Sequence, residues 1–226
     1  MEEIQRILRR RVYSVKKPEH VLFDLDSTLL AAYGAQEGEA FNYHYQAHGY
    51  HPLLCFDGLT GDLLKVELRP GTQYCSKGAA AFMLPLLEEY QREYPQTALF
   101  ARGDSGFATD ELYSLFETNG TGYVIRLKEN PVLRRLAQDL DSELYDLTRE
   151  DTVSHAVVYG EFLYKAGSWD YPRRVVCKIE KPYGQAIHMH TFVVTNMESS
   201  PEDLIRFYCK RGNMENFIKE CKSGFD

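Results

Sequence analysis

Apolar and polar positions follow two different periods along this chain, and the changes of period divide it. Residues 2–12 place Ile4, Leu8 and Val12 at helical spacing with no breaker before Pro18, which predicts a short amphipathic helix leading into the first strand. The run Val21-Leu22-Phe23-Asp24-Leu25-Asp26-Ser27-Thr28-Leu29-Leu30 then has the character of a strand, with Asp24, Asp26 and Thr28 on one face and Phe23, Leu25 and Leu29 turned to the core. Strands over 51–56 and 63–68 are joined by Asp57-Gly58-Leu59-Thr60-Gly61-Asp62, a hairpin connection with turn residues in the expected places. Residues 76–94 carry Phe82, Leu84, Leu86, Leu87 and Tyr90 at helical spacing and stop before Pro95. A short apolar run at 97–102 predicts a buried parallel strand that feeds straight into Gly103-Asp104-Ser105-Gly106-Phe107, so a second carboxylate stands at a strand's C-terminal end. A helix over 108–119 closed by Gly120, a buried strand over 122–127 and a polar helix over about 131–147 complete this part.

From 152 to 196 the period changes to two. Strands are predicted at 152–158, 161–166, 173–180 and 188–195, separated by Gly160, Gly167, Pro172 and Pro182-Tyr183-Gly184. Ser200 then suits a helix N-cap, Pro201 the first helical position, and Glu202 and Asp203 the dipole of a helix running to about residue 222. The resulting organisation is a helical lead-in at 1–19, the first part of an α/β core at 20–150, a β-rich insertion at 151–198 and a closing helix at 199–226.

Composition narrows the class. A chain of 226 residues is long enough for one large domain with an insertion, and 44% hydrophobic with 26% charged residues is ordinary for a globular protein. No apolar run approaches bilayer length and the N-terminus lacks the apolar core of a secretion signal, so the expectation is a cytoplasmic protein without membrane contact. The five cysteines are scattered without a Cys-x-x-Cys pair and suggest reduced thiols rather than a disulfide or zinc framework. A formal net charge of -7 argues against a free-standing nucleic-acid binder. Residues 6–17 and the group Lys210, Arg211, Lys219 and Lys222 are nevertheless locally basic, a pattern for which a solvated helix face is the common account.

Carboxylates at the end of a buried strand require a reason, because an unpaired buried carboxylate is costly. A metal ion, a cationic partner or a role as acid or nucleophile supplies one, and a solvated strand end is the plain alternative. At about 100° per residue, Tyr208, Arg211, Glu215 and Lys222 fall within an arc of roughly 60° on the closing helix. Phe207, Met214, Phe217, Ile218 and Cys221 occupy the neighbouring arc, so the helix can dock on a sheet while turning the polar stripe to its edge. Intrahelical ion pairs on a wet face explain the charges of that stripe but not its tyrosine. His44, His48 and His51 lack a cysteine or carboxylate partner for zinc, and Trp169, between Gly167 and Pro172, is best accounted for by packing at a turn.

Taken together, the motifs resemble those of bacterial insertion-sequence DDE transposases carrying a Tyr-Arg-Glu-Lys signature. Tyr208, Arg211, Glu215 and Lys222 match Tyr-x2-Arg-x3-Glu-x6-Lys, Asp26 lies in an Asp-x-Thr motif, and Asp104 lies in Gly-Asp-Ser-Gly-Phe. The Tyr-Gly-x-Gln-x-Gly, Gly-Tyr-His-Pro-Leu and Leu-Arg-Pro-Gly segments also look like this group, so the resemblance covers about residues 20 to 222. It implies a ribonuclease H-like five-stranded mixed sheet flanked by helices, with a β-rich insertion before the last helix. It further implies that Asp26, Asp104 and Glu215 are catalytic and hold two Mg2+ ions, with Mn2+ able to substitute. Tyr208, Arg211 and Lys222 would contact phosphates of double-stranded DNA, and a homodimer would form the synapse.

Asp24-Leu25-Asp26-Ser27-Thr28 also looks like the first motif of haloacid dehalogenase-type phosphatases, with Asp24 as nucleophile and Asp26 as general acid/base. Asp104, Asp110 and Lys77 imitate the remaining motifs, although the spacing is off and the closing helix is left unexplained. A third expectation follows from the limits of the chain, which starts about twenty residues before the first catalytic strand and stops four residues after Lys222. Those limits suggest a truncated core, and a catalytically dead DNA-binding remnant is the corresponding alternative.

Overall fold

The structure, a computed structural model, describes residues 2–150 and 153–223; of Glu2, Asn213, Glu215, Cys221 and Ser223 only the backbone is described. The chain forms two compact units, Met1–Gly122 with Arg211–Asp226, and Tyr123–Lys210.

In the first unit α1 (Glu2–Val15) leads into β1 (His20–Ser27). A small sheet of β2 (Leu30–Ala31), β3 (Ala40–Asn42) and β4 (Ala47–Tyr50) follows, then the hairpin β5 (Leu53–Asp57) and β6 (Leu63–Glu67), α2 (Ala79–Glu93), β7 (Ala98–Gly103) and α3 (Asp110–Thr118). The main sheet of this unit runs β6-β5-β1-β7. β1 is antiparallel to β5 and parallel to β7, so it is flanked on both edges. Val21, Leu22, Phe23 and Leu25 are all buried, which is why this strand is an apolar run rather than an alternation. α2 buries Phe82, Met83, Leu86, Leu87 and Tyr90, and the Tyr90 ring meets Phe23 edge-on at 5.4 Å.

The lead-in helix docks in an unexpected way. Its predicted apolar stripe, Ile4, Leu8 and Val12, is exposed. Contact with α2 is made instead by polar and aromatic side chains: Arg9 pairs with Glu89 at 2.7 Å, Arg10 with Glu93 at 2.8 Å, and Tyr13 shares a hydroxyl contact with Tyr90 at 3.1 Å. Periodicity located this helix correctly but did not reveal which face turns inward.

The second unit contains β8 (Gly122–Leu127), α4 (Pro131–Leu136), α5 (Gln138–Thr148), β9 (Ala156–Tyr164), β10 (Arg173–Lys181), β11 (Met189–Thr195) and α6 (Pro201–Cys209). Its strands run β8-β11-β10-β9, antiparallel throughout. One expectation changes here. Gly160 does not break a strand: residues 156–164 form one continuous β9 paired along β10, while residue 152 of the predicted first strand lies outside the described residues. The strand expected at 122–127 forms as β8 and pairs antiparallel with β11. The two units divide at 122/123 and 210/211.

The closing helix is also divided. α6 ends at Cys209, a 3-10 turn occupies Lys210–Gly212, and α7 (Asn213–Ser223) returns to the first unit. A tightened turn ending in glycine interrupts the α-helical phase, so the single straight helix expected to run to about residue 222 is divided. Met214, Phe217 and Ile218 of α7 pack on Leu54, Phe56, Leu63 and Val66 of the β5–β6 hairpin. Each such buried side chain contributes about 1.5–3 kcal/mol, enough to fix the path of α7.

Candidate active site

β1 and β7 run parallel with Asp24 opposite Arg102. Two residues further on, Asp26 and Asp104 therefore stand at the C-terminal ends of neighbouring parallel strands, where α/β sheets open to ligands. Both line a cavity of about 460 Å3 whose walls include Tyr43, His44, Tyr45 and Cys75. The aromatic wall is set by Asn42, a buried residue on β3. Its side-chain amide donates to Gly71 O at 2.8 Å and its Oδ1 accepts from the backbone of His44 at 2.9 Å and Tyr45 at 3.1 Å.

Each carboxylate is oriented locally. Asp26 Oδ1 accepts from the Ser27 amide at 2.8 Å, and its Oδ2 lies 3.3 Å from Arg211 Nη2. Asp104 caps the 3-10 turn Ser105–Phe107, its Oδ1 accepting from the Gly106 amide at 2.8 Å. A Cβ at position 106 would lie 2.9 Å from that oxygen and 3.2 Å from Cys75 Cβ, so the close approach requires glycine.

Burial raises the Asp26 carboxyl above its ordinary range; Arg211 pulls it down, and the nearby Asp104 pushes it up. The Tyr45 hydroxyl is raised first by burial and then by Asp26, Cys75 and Asp104. Burial also raises the Cys75 thiol, opposed by the hydrogen bond that Ser27 Oγ donates to its sulfur at 3.0 Å. The cavity thus holds two neighbouring carboxylates with Arg211 beside one of them, and Cys75 there is a thiol rather than a thiolate.

The remaining predicted residues separate into groups. Arg211 donates to Leu25 O at 2.9 Å and Lys222 donates to Thr28 Oγ1 at 2.8 Å and Leu29 O at 2.9 Å, so one cation ties the turn before α7 to β1 and the other ties the last turn of α7 to the residues that follow β1. The backbone of Glu215 lies on α7 between them, while its side chain lies outside the described residues. Tyr208, expected beside Arg211, is only 9% exposed and packs with Val124, Val176, Val193, Leu204 and Ile205 in the second unit. Among the described residues, no three His, Cys, Asp or Glu side chains are grouped to hold a metal ion. The two carboxylates that line the cavity are hard oxygen donors, a set that fits a hard divalent cation.

Asp24 is not a nucleophile. It is 1% exposed, and Arg102 holds both of its oxygens, Nε to Oδ1 at 2.7 Å and Nη2 to Oδ2 at 2.6 Å. A phosphatase would need that carboxylate open to substrate. The histidines are satisfied locally, His48 Nδ1 by Glu39 at 2.8 Å and His51 Nδ1 by Gln73 O at 2.7 Å. Trp169 is buried, edge-on to Tyr164 at 5.3 Å and beneath the Arg173 guanidinium at 5.6 Å, as packing at a turn requires. Sequence reading passed over Arg102 and Cys75. The signal for Arg102 was present: an arginine closing an apolar strand, two residues before Asp104, as Asp24 stands two before Asp26.

The fold and cavity define a mixed α/β protein with an acidic, aromatic-walled pocket at the ends of parallel strands. The sequence model of the family Transposase DDE domain group 1 matches residues 1–226, and the chain belongs to that family. Among solved structures it is similar to a piggyBac transposase in a cryo-EM synaptic complex with hairpin DNA, at 13% identity and a TM-score of 0.48; the match covers 97% of this chain and 44% of that one. The chain therefore spans less than half the length of that transposase. No curated protein matches it. No described helix is long and apolar enough to cross a membrane.

Proposed function

We propose that this chain is the catalytic core of an insertion-sequence transposase with a ribonuclease H-like fold, which hydrolyses phosphodiester bonds at the ends of the element and transfers the strands to target DNA. The observation that carries the reading is the convergence of Asp26 and Asp104 on one cavity, from neighbouring parallel strands, in a member of a DDE transposase family. Asp26, Asp104 and Glu215 would hold two Mg2+ ions, and the chemistry those ions supply is activation of water or a 3′-hydroxyl and stabilisation of the leaving oxygen.

The protein's own contribution is positioning and charge. Asp26 and Asp104 are each oriented by a backbone amide, which limits the rearrangement needed when the site is filled. α7 brings the Glu215 backbone to the same strand end by packing on the hairpin and by the Arg211 and Lys222 ties. Arg211 faces Asp26 across 3.3 Å; once that carboxylate is neutralised otherwise, its planar guanidinium is suited to a bidentate phosphate contact. Lys222, on the same edge, acts as a point charge toward the DNA backbone. Tyr208 is assigned to packing rather than to phosphate. Double-stranded DNA is the partner, and two copies form the synapse.

Calorimetric titration of Mn2+ into the intact chain, Asp26→Ala and Glu215→Ala, each shown to be folded, tests the reading. Both substitutions are expected to remove or sharply weaken binding, and the parent alone is expected to nick supercoiled plasmid. Retention of binding by folded Glu215→Ala, with loss in Asp26→Ala, would exclude a three-carboxylate site.

A further inference from the structure

The Asp24–Arg102 pair lies directly behind the two carboxylates and has no part in the chemistry proposed for them. Both side chains are almost completely buried, at 1% and 2% exposure. They are register partners across the parallel strands β1 and β7, and the guanidinium grips the carboxylate through two contacts, at 2.7 and 2.6 Å. The hairpin turn closes over them. Gly58 donates its amide to Leu22 O at 2.7 Å, and a Cβ there would stand 2.2 Å from Asp24 Oδ2 and 2.9 Å from Arg102 Nη2. Cys55, fully buried on β5, has its thiol raised first by burial and next by the Asp24 charge.

Stability alone gives little reason for such a pair. A buried ion pair is commonly matched or exceeded in stability by apolar side chains of similar volume. What an apolar pair lacks is direction: it tolerates a shift of one strand along the other, whereas a two-point charged contact does not. The shift matters here because Asp26 and Asp104 follow the pair at the same offset of two residues. A slip of β7 against β1 by one alternation would carry Asp104 about 6.6 Å along the sheet, at about 3.3 Å per residue. One ion could not then be shared between the two carboxylates, because an oxygen of each would have to lie within about 2.0–2.6 Å of it.

We propose that Asp24 and Arg102 are positioning residues which fix the register of β1 against β7 and so hold Asp26 and Asp104 at the separation a shared divalent cation requires. The proposal rests on the two-carboxylate reading of the site and adds to it the device that sets its geometry. Outer partners of metal ligands are commonly worth about ten- to a hundredfold in metal affinity, and an effect at the lower end of that range is expected from a pair that acts through the backbone.

The test uses the intact chain with Mn2+ as the probe, comparing the parent with Asp24→Asn/Arg102→Met, Arg102→Lys and, as a control, Asp26→Ala. Circular dichroism and urea unfolding establish that each chain is folded before titration. The double variant removes both charges of the pair together, and it is expected to fold yet bind Mn2+ about tenfold more weakly than the parent. Arg102→Lys keeps the charge and one contact, and its loss is expected to be smaller than that of the double variant. If the folded double variant binds Mn2+ as the parent does, whatever its change in stability, the positioning role is overturned while Asp26→Ala can still show that the site exists. Should Asp26→Ala also bind as the parent does, the two-carboxylate reading falls and this inference falls with it. If the double variant does not fold, Arg102→Lys decides the matter: a reproducible loss of affinity, smaller than about tenfold, supports the role, and parental affinity overturns it.

Discussion

The interior of β1 and its C-terminal end carry the same residue type two positions apart, and the two aspartates have opposite fates. Asp24 is 1% exposed and gripped at both oxygens by Arg102; Asp26 opens on a cavity, with one oxygen on a backbone amide and the other 3.3 Å from Arg211. Depth and register decide the difference. Asp24 has a strand on each side and an arginine as its cross-strand partner, whereas Asp26 reaches the point where β7 gives way to the turn that Asp104 caps. A carboxylate locked at two points has no capacity left for a ligand, and one held at a single point retains it.

The largest effect should come from breaking the locked member. Asp24→Ala leaves the Arg102 guanidinium buried beside a void, and removal of one partner from a buried ion pair costs about 3–5 kcal/mol. Urea unfolding of the variant should show that loss, while Asp26→Ala, at the open end, should change stability far less. Equal losses at the two positions would mean that the strand end is as enclosed as its interior.

A second, smaller effect tests the cover over the pair. Gly58→Ala would put a methyl carbon 2.2 Å from Asp24 Oδ2, so either the turn or the ion pair must move. Overpacking of this kind costs about 1–3 kcal/mol. The same substitution at Gly34, where a Cβ meets nothing within 4 Å, is a poor control because that residue has a φ of +77°. Gly167, with open space around it and a φ outside the left-handed region, is the better one and should change little.

The same contrast shows what could be read without coordinates. β1, the hairpin, β7 and α2 were all legible, because each is a local pattern of apolar spacing closed by turn residues. Asp26 and Asp104 were legible as a pair because both stand at the ends of apolar runs. The partnership of Asp24 with Arg102 was not, since it depends on the relative register of two strands separated by 78 positions in the chain. The break between α6 and α7 was missed for a related reason. A 3-10 turn at Lys210–Gly212 keeps helical composition while losing α-helical phase, so a pattern of apolar spacing reads through it as one helix. The outward apolar stripe of α1 shows the same limit from the other side: periodicity detects a helix, and its partner decides which face is buried.

The smallest effect concerns charge at the open end, and it is read in the metal-free chain. Burial and Asp104 raise the Asp26 carboxyl, and Arg211 opposes them. The folded chain therefore holds this proton more tightly than the unfolded chain does. The corresponding contribution to stability is fully present below the unfolded value and is lost as the pH rises through the raised folded value. Arg211→Met removes the opposing charge, so the Asp26 titration followed by carboxyl carbon NMR should move further up, and the loss of stability should extend to higher pH. Asp104→Asn removes the like charge, so the titration should move down and the loss should end at lower pH. The accompanying change in stability at neutral pH is roughly 1 kcal/mol for Arg211→Met, whose ion pair is partly screened and whose hydrogen bond to Leu25 O is also lost. Opposite shifts from the two variants would show that the cation and the neighbouring carboxylate act on Asp26 from the positions the structure gives them; a common direction, or no movement in either, would separate Asp26 from both.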